Sequence, residues 1–280
     1  MQLTKKINIL VQRRASIGDV IMTTGVVREL KKQYGDNANI IVATDYIEVY
    51  KNNPHIVGVV PVASVDRSQF DVVYNLDDAY EMNPYTNYID NYFYRVFGPN
   101  TLDHIVELFD TDADQTEIDG EYIVVHLRNW HWQAKNISMD VWFDVFAKVF
   151  EVDPSLKVVC VGGSTDHFVE HPNFIDARDK TSQQIKALCD NAKCFVGIDS
   201  GPFWCASASS TQVIGLLTHL LPERIMFPTD TAIQTLEDCA GCNDRQQRPI
   251  RQIVCEKGDF PCTRNFDTTA IATAILNTLK

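Results

Sequence analysis

Three stretches of the chain hold residues that could do chemistry. In ASIGDVIMTTG, residues 15–25, Asp19 follows the apolar run INILVQRR, where a buried strand turns into a helix. A carboxylate there stands on the rim of the cleft where open α/β sheets bind ligands. It can equally cap the helix and sit against its dipole, with Gly18 allowing the turn. In FVGIDSGPFWCASAS, residues 195–209, a strand ends at Asp199, and Ser200, Gly201 and Pro202 open a helix. Proline suits a first helical turn, and the free amides beside a small hydroxyl suit an anion such as a diphosphate. A plain capped helix has the same residues. In CAGCNDRQQRPIRQIVCEKGDFPC, Cys239, Cys242, Cys255 and Cys262 form C-x₂-C-x₁₂-C-x₆-C. That is metal-site spacing, and four thiolates suit tetrahedral zinc or iron. Two disulfides or unligated thiols are the other readings.

Elements of alternating type must position these residues. Apolar strand-like runs begin at residues 7, 39, 57 and 70, and helical spacing covers 18–35, with a short helix over 45–53. Residues 79–120 break the rhythm with aromatics and then an acidic, polar stretch. The tyrosines at 80, 85, 88, 92 and 94 read as core, or as an acceptor groove. A second alternating series follows: strands at 122–127, 156–163, 173–178, 193–199 and 211–217, and helices at 139–150, 181–191 and from 201. The final helix, 267–280, has Ile271, Ile275 and Leu279 on one face. Near-continuous apolar strands between helices indicate parallel sheets covered on both sides. The boundary is placed near 112–120, giving domains 1–115 and 116–280. Ligands are expected in a cleft at the carboxyl ends of the strands.

The 280 residues and the charge of −12 suit two globular domains and disfavour nucleic acid or an anionic membrane as partner. Basic spots in QRR (12–14) and ELKKQ (29–33) could still meet a phosphate. The N-terminal apolar stretch of about five residues is shorter than the roughly 7–15 of a signal peptide. A cytoplasmic location is therefore expected, with at most peripheral membrane association and with eight reduced, ligating or buried cysteines. Cys160, Cys189, Cys194 and Cys205 lie in apolar segments and read as core. The dinucleotide and P-loop glycine patterns, H-E-x-x-H and G-x-S-x-G are all missing. Ser200 could be a nucleophile, but no base is identifiable beside it. His126 reads as a satisfied core histidine. Trp130, His131 and Trp132 could stack on a base or sugar, or pack as a loop cluster.

Taken in order, ASIGDVIMTTGVVRELKKQYGDNANIIVAT, HLRNWHWQAKNISMDVWFDVFAKV, VVCVGGSTD and TSQQIKALCDNAKCFVGIDSGPFWCASASSTQVIGLL resemble glycosyltransferase family 9, the heptosyltransferases. The resemblance implies the GT-B fold, two facing Rossmann-like domains. It places the acceptor on the N-terminal domain and the nucleotide sugar on the C-terminal one. It implies inversion at the anomeric carbon without a catalytic metal. Asp19 then matches the general base, Lys135 the phosphate-facing lysine, and Asp199, Ser200, Gly201 and Pro202 the phosphate-binding turn. Trp204 departs from the histidine common there, which leaves the donor sugar open. The tail is similar to the four-cysteine iron site of some members. The expected activity moves a sugar, a heptose being one candidate, from a nucleotide diphosphate to a glycan, lipopolysaccharide-like or protein hydroxyl. A silent sugar-nucleotide-binding or glycan-binding protein and a sugar-nucleotide epimerase are the alternatives.

Overall fold

A computed structural model describes residues 6–82, 87–127, 132–245 and 254–280. Tyr85, Trp130 and His131 lie outside the described residues, as does most of the Cys242–Cys255 loop. The chain divides into two compact units, 1–110 and 111–280.

The first unit is a four-stranded parallel sheet with strand order β3-β2-β1-β4. Its strands are β1 (Ile7–Gln12), β2 (Ala38–Ala43), β3 (Gly58–Val60) and β4 (Val72–Asn75). The register pairs Ile9 with Ile40 and with Val72. The helical stretch expected over 18–35 is two helices, α1 (Ile17–Met22) and α2 (Thr24–Tyr34). Thr23 and Thr24 hydroxyls donate back to the carbonyls of Val20 and Ile21, a local bond that competes with helix continuation. The segment expected as a short helix at 45–53 is one 3₁₀ turn, Ile47–Tyr50. The aromatic stretch holds a helix that periodicity did not reveal, α3 (Tyr88–Phe97), capped by Asn87. Tyr80, Tyr88 and Tyr92 are buried, whereas Tyr94 is exposed.

Gly25 of α2 lies against the irregular segment around Ile105. A Cβ there would overlap the Ile105 carbonyl oxygen and press on Phe93. Gly25→Ala is therefore expected to destabilise the protein by about 1–3 kcal/mol, as overpacking does. The check is a lower urea midpoint at an unchanged slope.

The second unit has a six-stranded parallel sheet with strand order β10-β9-β8-β5-β6-β7. The strands are β5 (Tyr122–His126), β6 (Lys157–Cys160), β7 (Phe174–Asp176), β8 (Cys194–Gly197), β9 (Gln212–Leu217) and β10 (Thr231–Gln234). The short, polar-edged β10 had no clear signal in the sequence. The helices are α4 (Met139–Val152), α5 (Ser182–Asp190), α6 (Gly201–Ser207), the single turn α7 (Cys242–Arg245) and α8 (Thr268–Thr278). Val141, Trp142, Val145, Phe146 and Val149 recur at helical spacing on α4 and pack with Ile271 and Ile275 of α8 in one core with β5, β6, β8 and β9. The Trp142 indole donates to the Leu127 carbonyl at 2.9 Å, so its polar atom is satisfied within that core. Cys160 and Cys194 belong to that core, and Cys189 and Cys205 are buried as well.

Candidate functional site

In an open parallel sheet, the connections leave in opposite directions at one pair of strands, and the crevice at their carboxyl ends receives ligands. In the first unit that pair is β1 and β4; in the second it is β5 and β8. The candidate residues collect at both places.

Asp19 sits in the first turn of α1, after β1. Its Oδ2 accepts from the Ser16 amide at 2.8 Å and the Ser16 hydroxyl at 3.1 Å, and faces Arg13 Nη2 at 2.8 Å. Its Oδ1 accepts from the Tyr80 hydroxyl at 2.9 Å, a residue that follows β4. The cap and the charged site are thus one object: Asp19 completes a capping box and also anchors an ionic cluster. Arg13 is 3% exposed. It reaches Glu81 at 2.9 Å and the Leu76 carbonyl at 3.2 Å, and lies 5.5 Å from the ring centres of both Tyr80 and Tyr92. Burial opposes its charge, but the facing Tyr92, Asp19 and Glu81 outweigh burial and hold its pKa above the ordinary value. Burial first, and Asp19 second, push the Tyr80 and Tyr92 hydroxyls well above the usual phenol range, so Tyr80 stays a donor to Asp19. Three of the basic residues in QRR and ELKKQ have ion-pair partners. Arg13 is committed to this cluster, Lys31 pairs with Asp36, and Lys32 with Glu29.

In the second unit, Lys135 closes a 3₁₀ turn, Gln133–Lys135, and its Nζ lies 2.5 Å from Asp199 Oδ2. The other Asp199 oxygen accepts from the Trp204 indole at 3.1 Å. Trp204 is buried, so it holds Asp199 from behind rather than offering a surface. Ser200 caps α6, its Oγ accepting from the Phe203 amide at 3.4 Å. The sequence showed no base beside Ser200, but the fold supplies one. His126, at the end of β5, places Nδ1 2.8 Å from Ser200 Oγ and Nε2 3.1 Å from Asp166 Oδ2. The carboxylate can only accept, so Nε2 carries a proton; in the neutral ring Nδ1 then accepts from Ser200. Asp166 is set by the Gly163 amide at 2.8 Å. Gly162, at φ +138°, allows this approach, because a Cβ there would run into Asp166 and His126.

Cys239, Cys242, Cys255 and Cys262 line one cavity of about 90 Å³, together with Ala134 and His219. None of the eight cysteines is in a disulfide. Burial and the three facing cysteines push the Cys262 thiol up to about 12. Among the described residues, no three of these four sulfurs lie within 4.8 Å of one another, and the set with metal-ligating atoms that close together is Glu237, Asp238 and Cys239. Both carboxylates in that set already bind Lys257, so it is a poor cation site. His219 is buried and also lines the small cavity that holds Lys135 and Asp199.

Two parallel α/β units with these strand orders form the GT-B fold. No protein-family model matches the chain, and no curated protein matches it by sequence. Solved structures do match. The glycosyl transferase family 9 protein of Veillonella parvula DSM 2008 is 14% identical, with 100% of this chain and 98% of that one covered at a TM-score of 0.74. The iron-containing dodecameric glycosyltransferase TibC of enterotoxigenic E. coli H10407 is 16% identical, with 100% and 80% covered at 0.74; TibC has also been solved with ADP-D-beta-D-heptose. The E. coli ADP-heptose lps heptosyltransferase II is 13% identical, with 98% of each chain covered at 0.71. Over its full length the chain therefore has the fold of the family 9 heptosyltransferases.

Sequence reasoning missed Arg13, Tyr80 and Glu81 around Asp19, and His126 and Asp166 around Ser200. It also missed His219 in the cysteine cavity. Each of His126, Tyr80 and His219 follows a strand end, which was the available signal. Among the described residues, no helix is long and apolar enough to cross a membrane.

Proposed function

We propose that the protein is an inverting glycosyltransferase that moves a sugar, a heptose being the first candidate, from a nucleotide diphosphate to a hydroxyl acceptor. The observation that carries this reading is the Lys135–Asp199 pair, with Ser200, at the strand switch of the second sheet. It lies in a chain with the full-length fold of heptosyltransferases, one of them solved with ADP-heptose. The second unit, from about residue 116, takes the donor and the first takes the acceptor. Lys135 and the turn Asp199–Ser200–Gly201–Pro202 meet the diphosphate, with Trp204 holding Asp199 in place.

Asp19 is the general base. It takes the proton of the acceptor hydroxyl as that oxygen forms its bond to the anomeric carbon. The bond from that carbon to the diphosphate breaks on the opposite face, its electron pair leaves with the nucleoside diphosphate, and the configuration inverts. Lys135 offsets the charge that develops on the leaving group. Oδ1 of Asp19, which among the described residues accepts the Tyr80 hydrogen bond alone, is the oxygen with room for the proton.

The four cysteines of the cavity would hold one structural ion, zinc or iron. The fit rests on the donor set, four thiols around one small space. When bound, the ion would order the segment around Cys242 and Cys255, which has few large apolar residues to bury. No catalytic metal is needed, and the undisulfided thiols suit a reducing cytoplasm.

The test is acceptor-dependent release of nucleoside diphosphate. The protein is incubated with ADP-heptose and other nucleotide sugars, with and without hydroxyl acceptors. Release that requires both substrates supports transfer. Binding of the nucleotide without turnover of any pair would point to a silent binding protein.

A further inference from the structure

The donor turn includes Ser200, yet the hydrogen of its hydroxyl is committed elsewhere. His126 is 2% exposed, and its Nδ1 lies 2.8 Å from Ser200 Oγ. Its Nε2 lies 3.1 Å from Asp166 Oδ2, an oxygen that also accepts from the Gly163 amide at 2.8 Å. The proton on Nε2 faces Asp166, so Nδ1 of the neutral ring takes the single hydrogen of the Ser200 hydroxyl. Ser200 Oγ is left with lone pairs, one of which accepts from the Phe203 amide at 3.4 Å. Toward a diphosphate, such an oxygen is repulsive.

Turning the hydroxyl does not by itself remove the conflict. If its hydrogen swings to a phosphate oxygen, the lone pairs of Oγ and Nδ1 face each other at 2.8 Å inside the protein. A buried acceptor left without a donor is unfavourable. One proton added to Nδ1 resolves this. The imidazolium donates from both nitrogens, to Asp166 and to Ser200, and the serine hydrogen is free for the phosphate. The added positive charge then has an aspartate on one side and a diphosphate on the other, and both favour it.

Charged groups on the elements around the ring have partners of their own. On the β6 side, burial pushes the Cys160 thiol up to about 12, so it carries no charge. Asp176 pairs with Arg178, which also donates to the Asp166 carbonyl at 2.8 Å, and Asp179 accepts from the Ser164 amide at 2.7 Å. On the β8 side Asp199 pairs with Lys135. On α5, which packs against β5, Lys186 pairs with Asp190.

We propose that His126 is a positioning residue for the donor: it takes up one proton when a nucleotide sugar binds and so turns the Ser200 hydroxyl onto the diphosphate. The inference rests on the reading of the second unit as the donor site. A proton from solvent bonds to Nδ1, the O–H···Nδ1 hydrogen bond becomes N–H···Oγ, and the serine hydrogen reaches a diphosphate oxygen by rotation alone. Binding favours the protonated ring, so affinity rises as pH falls. Between the titration of the ring in the free protein and in the complex, each pH unit changes affinity by about a factor of ten.

The experiment titrates the full chain with a panel of ADP-, GDP- and UDP-linked sugars by calorimetry. It uses pairs of buffers that differ in ionisation enthalpy, at several pH values on both sides of neutrality. The diphosphate of a nucleotide sugar is esterified at both ends and has no proton to titrate there, so the uptake belongs to the protein. The wild type should take up about one proton per nucleotide sugar within that interval. Nitrogen NMR should show one histidine passing from the Nε2–H tautomer to the imidazolium on binding, a signal that His126→Gln lacks. Asp166→Asn keeps an acceptor for Nε2 but removes the charge that supports the imidazolium. It should bind about tenfold or more weakly and take up less proton. Binding by the wild type with no proton uptake at any pH overturns the coupling and leaves the donor site standing. Uptake that persists unchanged in Asp166→Asn and His126→Gln overturns the role of His126. Binding of none of the nucleotide sugars overturns the donor reading, and this inference with it. The wild-type uptake and Asp166→Asn decide between these outcomes even if His126→Gln does not fold.

Discussion

Asp19→Asn should fold, bind the nucleotide donor as the wild type does, and transfer sugar about 10²–10⁴ times more slowly, the usual range for loss of a general base. The side-chain carbonyl of asparagine can still accept from the Ser16 amide, so the capping box survives in part. Its amide group can face Tyr80, whose oxygen accepts as well as donates. Arg13 keeps Glu81 at 2.9 Å and is not left without an anion. What disappears is the basic oxygen. The measurement is turnover beside the dissociation constant for the nucleoside diphosphate, with a thermal melt as the control for folding. Transfer at the wild-type rate would leave Asp19 as a cap and an anchor for Arg13, and the proposed mechanism would fall.

Lys135→Ala should raise the dissociation constant for the nucleoside diphosphate about 100-fold. A hydrogen bond to a charged group contributes about 1.5–3 kcal/mol, and each 1.4 kcal/mol is about a factor of ten. A second effect acts in the same direction. Lys135 lies 2.5 Å from Asp199, and without it the Asp199 carboxylate keeps the Trp204 indole but faces the incoming phosphates uncompensated. Adding Asp199→Asn to Lys135→Ala should therefore recover part of the loss, a coupling that a double-mutant cycle reads directly. If Lys135→Ala binds every diphosphate as tightly as the wild type, the donor does not sit at this lysine.

Much of this was legible in local residue order. The β1 run and the DSGP turn read correctly because a buried parallel strand is a continuous apolar run and a helix start needs capping chemistry. The aromatic segment was harder. Tyr88–Phe97 buries aromatic residues on one face but begins after a polar stretch, and its helical spacing is masked by aromatics all round. The single helix expected over 18–35 is broken by two adjacent threonines whose hydroxyls bond back to the preceding turn.

By itself, the sequence determined that β1 and β8 end in helix starts, that Asp19, Asp199 and Ser200 stand at these junctions, and that four cysteines have ligand spacing. These are local properties, set by side-chain periodicity, capping and short-range spacing. Only the tertiary structure decided the partners. Tyr80 reaches Asp19 across 61 residues, Lys135 reaches Asp199 across 64, and His126 reaches Ser200 across 74. The physical reason is strand order. In a parallel sheet, β4 lies beside β1, and β8 beside β5, whatever their separation along the chain. Residues just past the carboxyl ends of such neighbours meet, and nothing in the local pattern of either strand says which strand its neighbour will be.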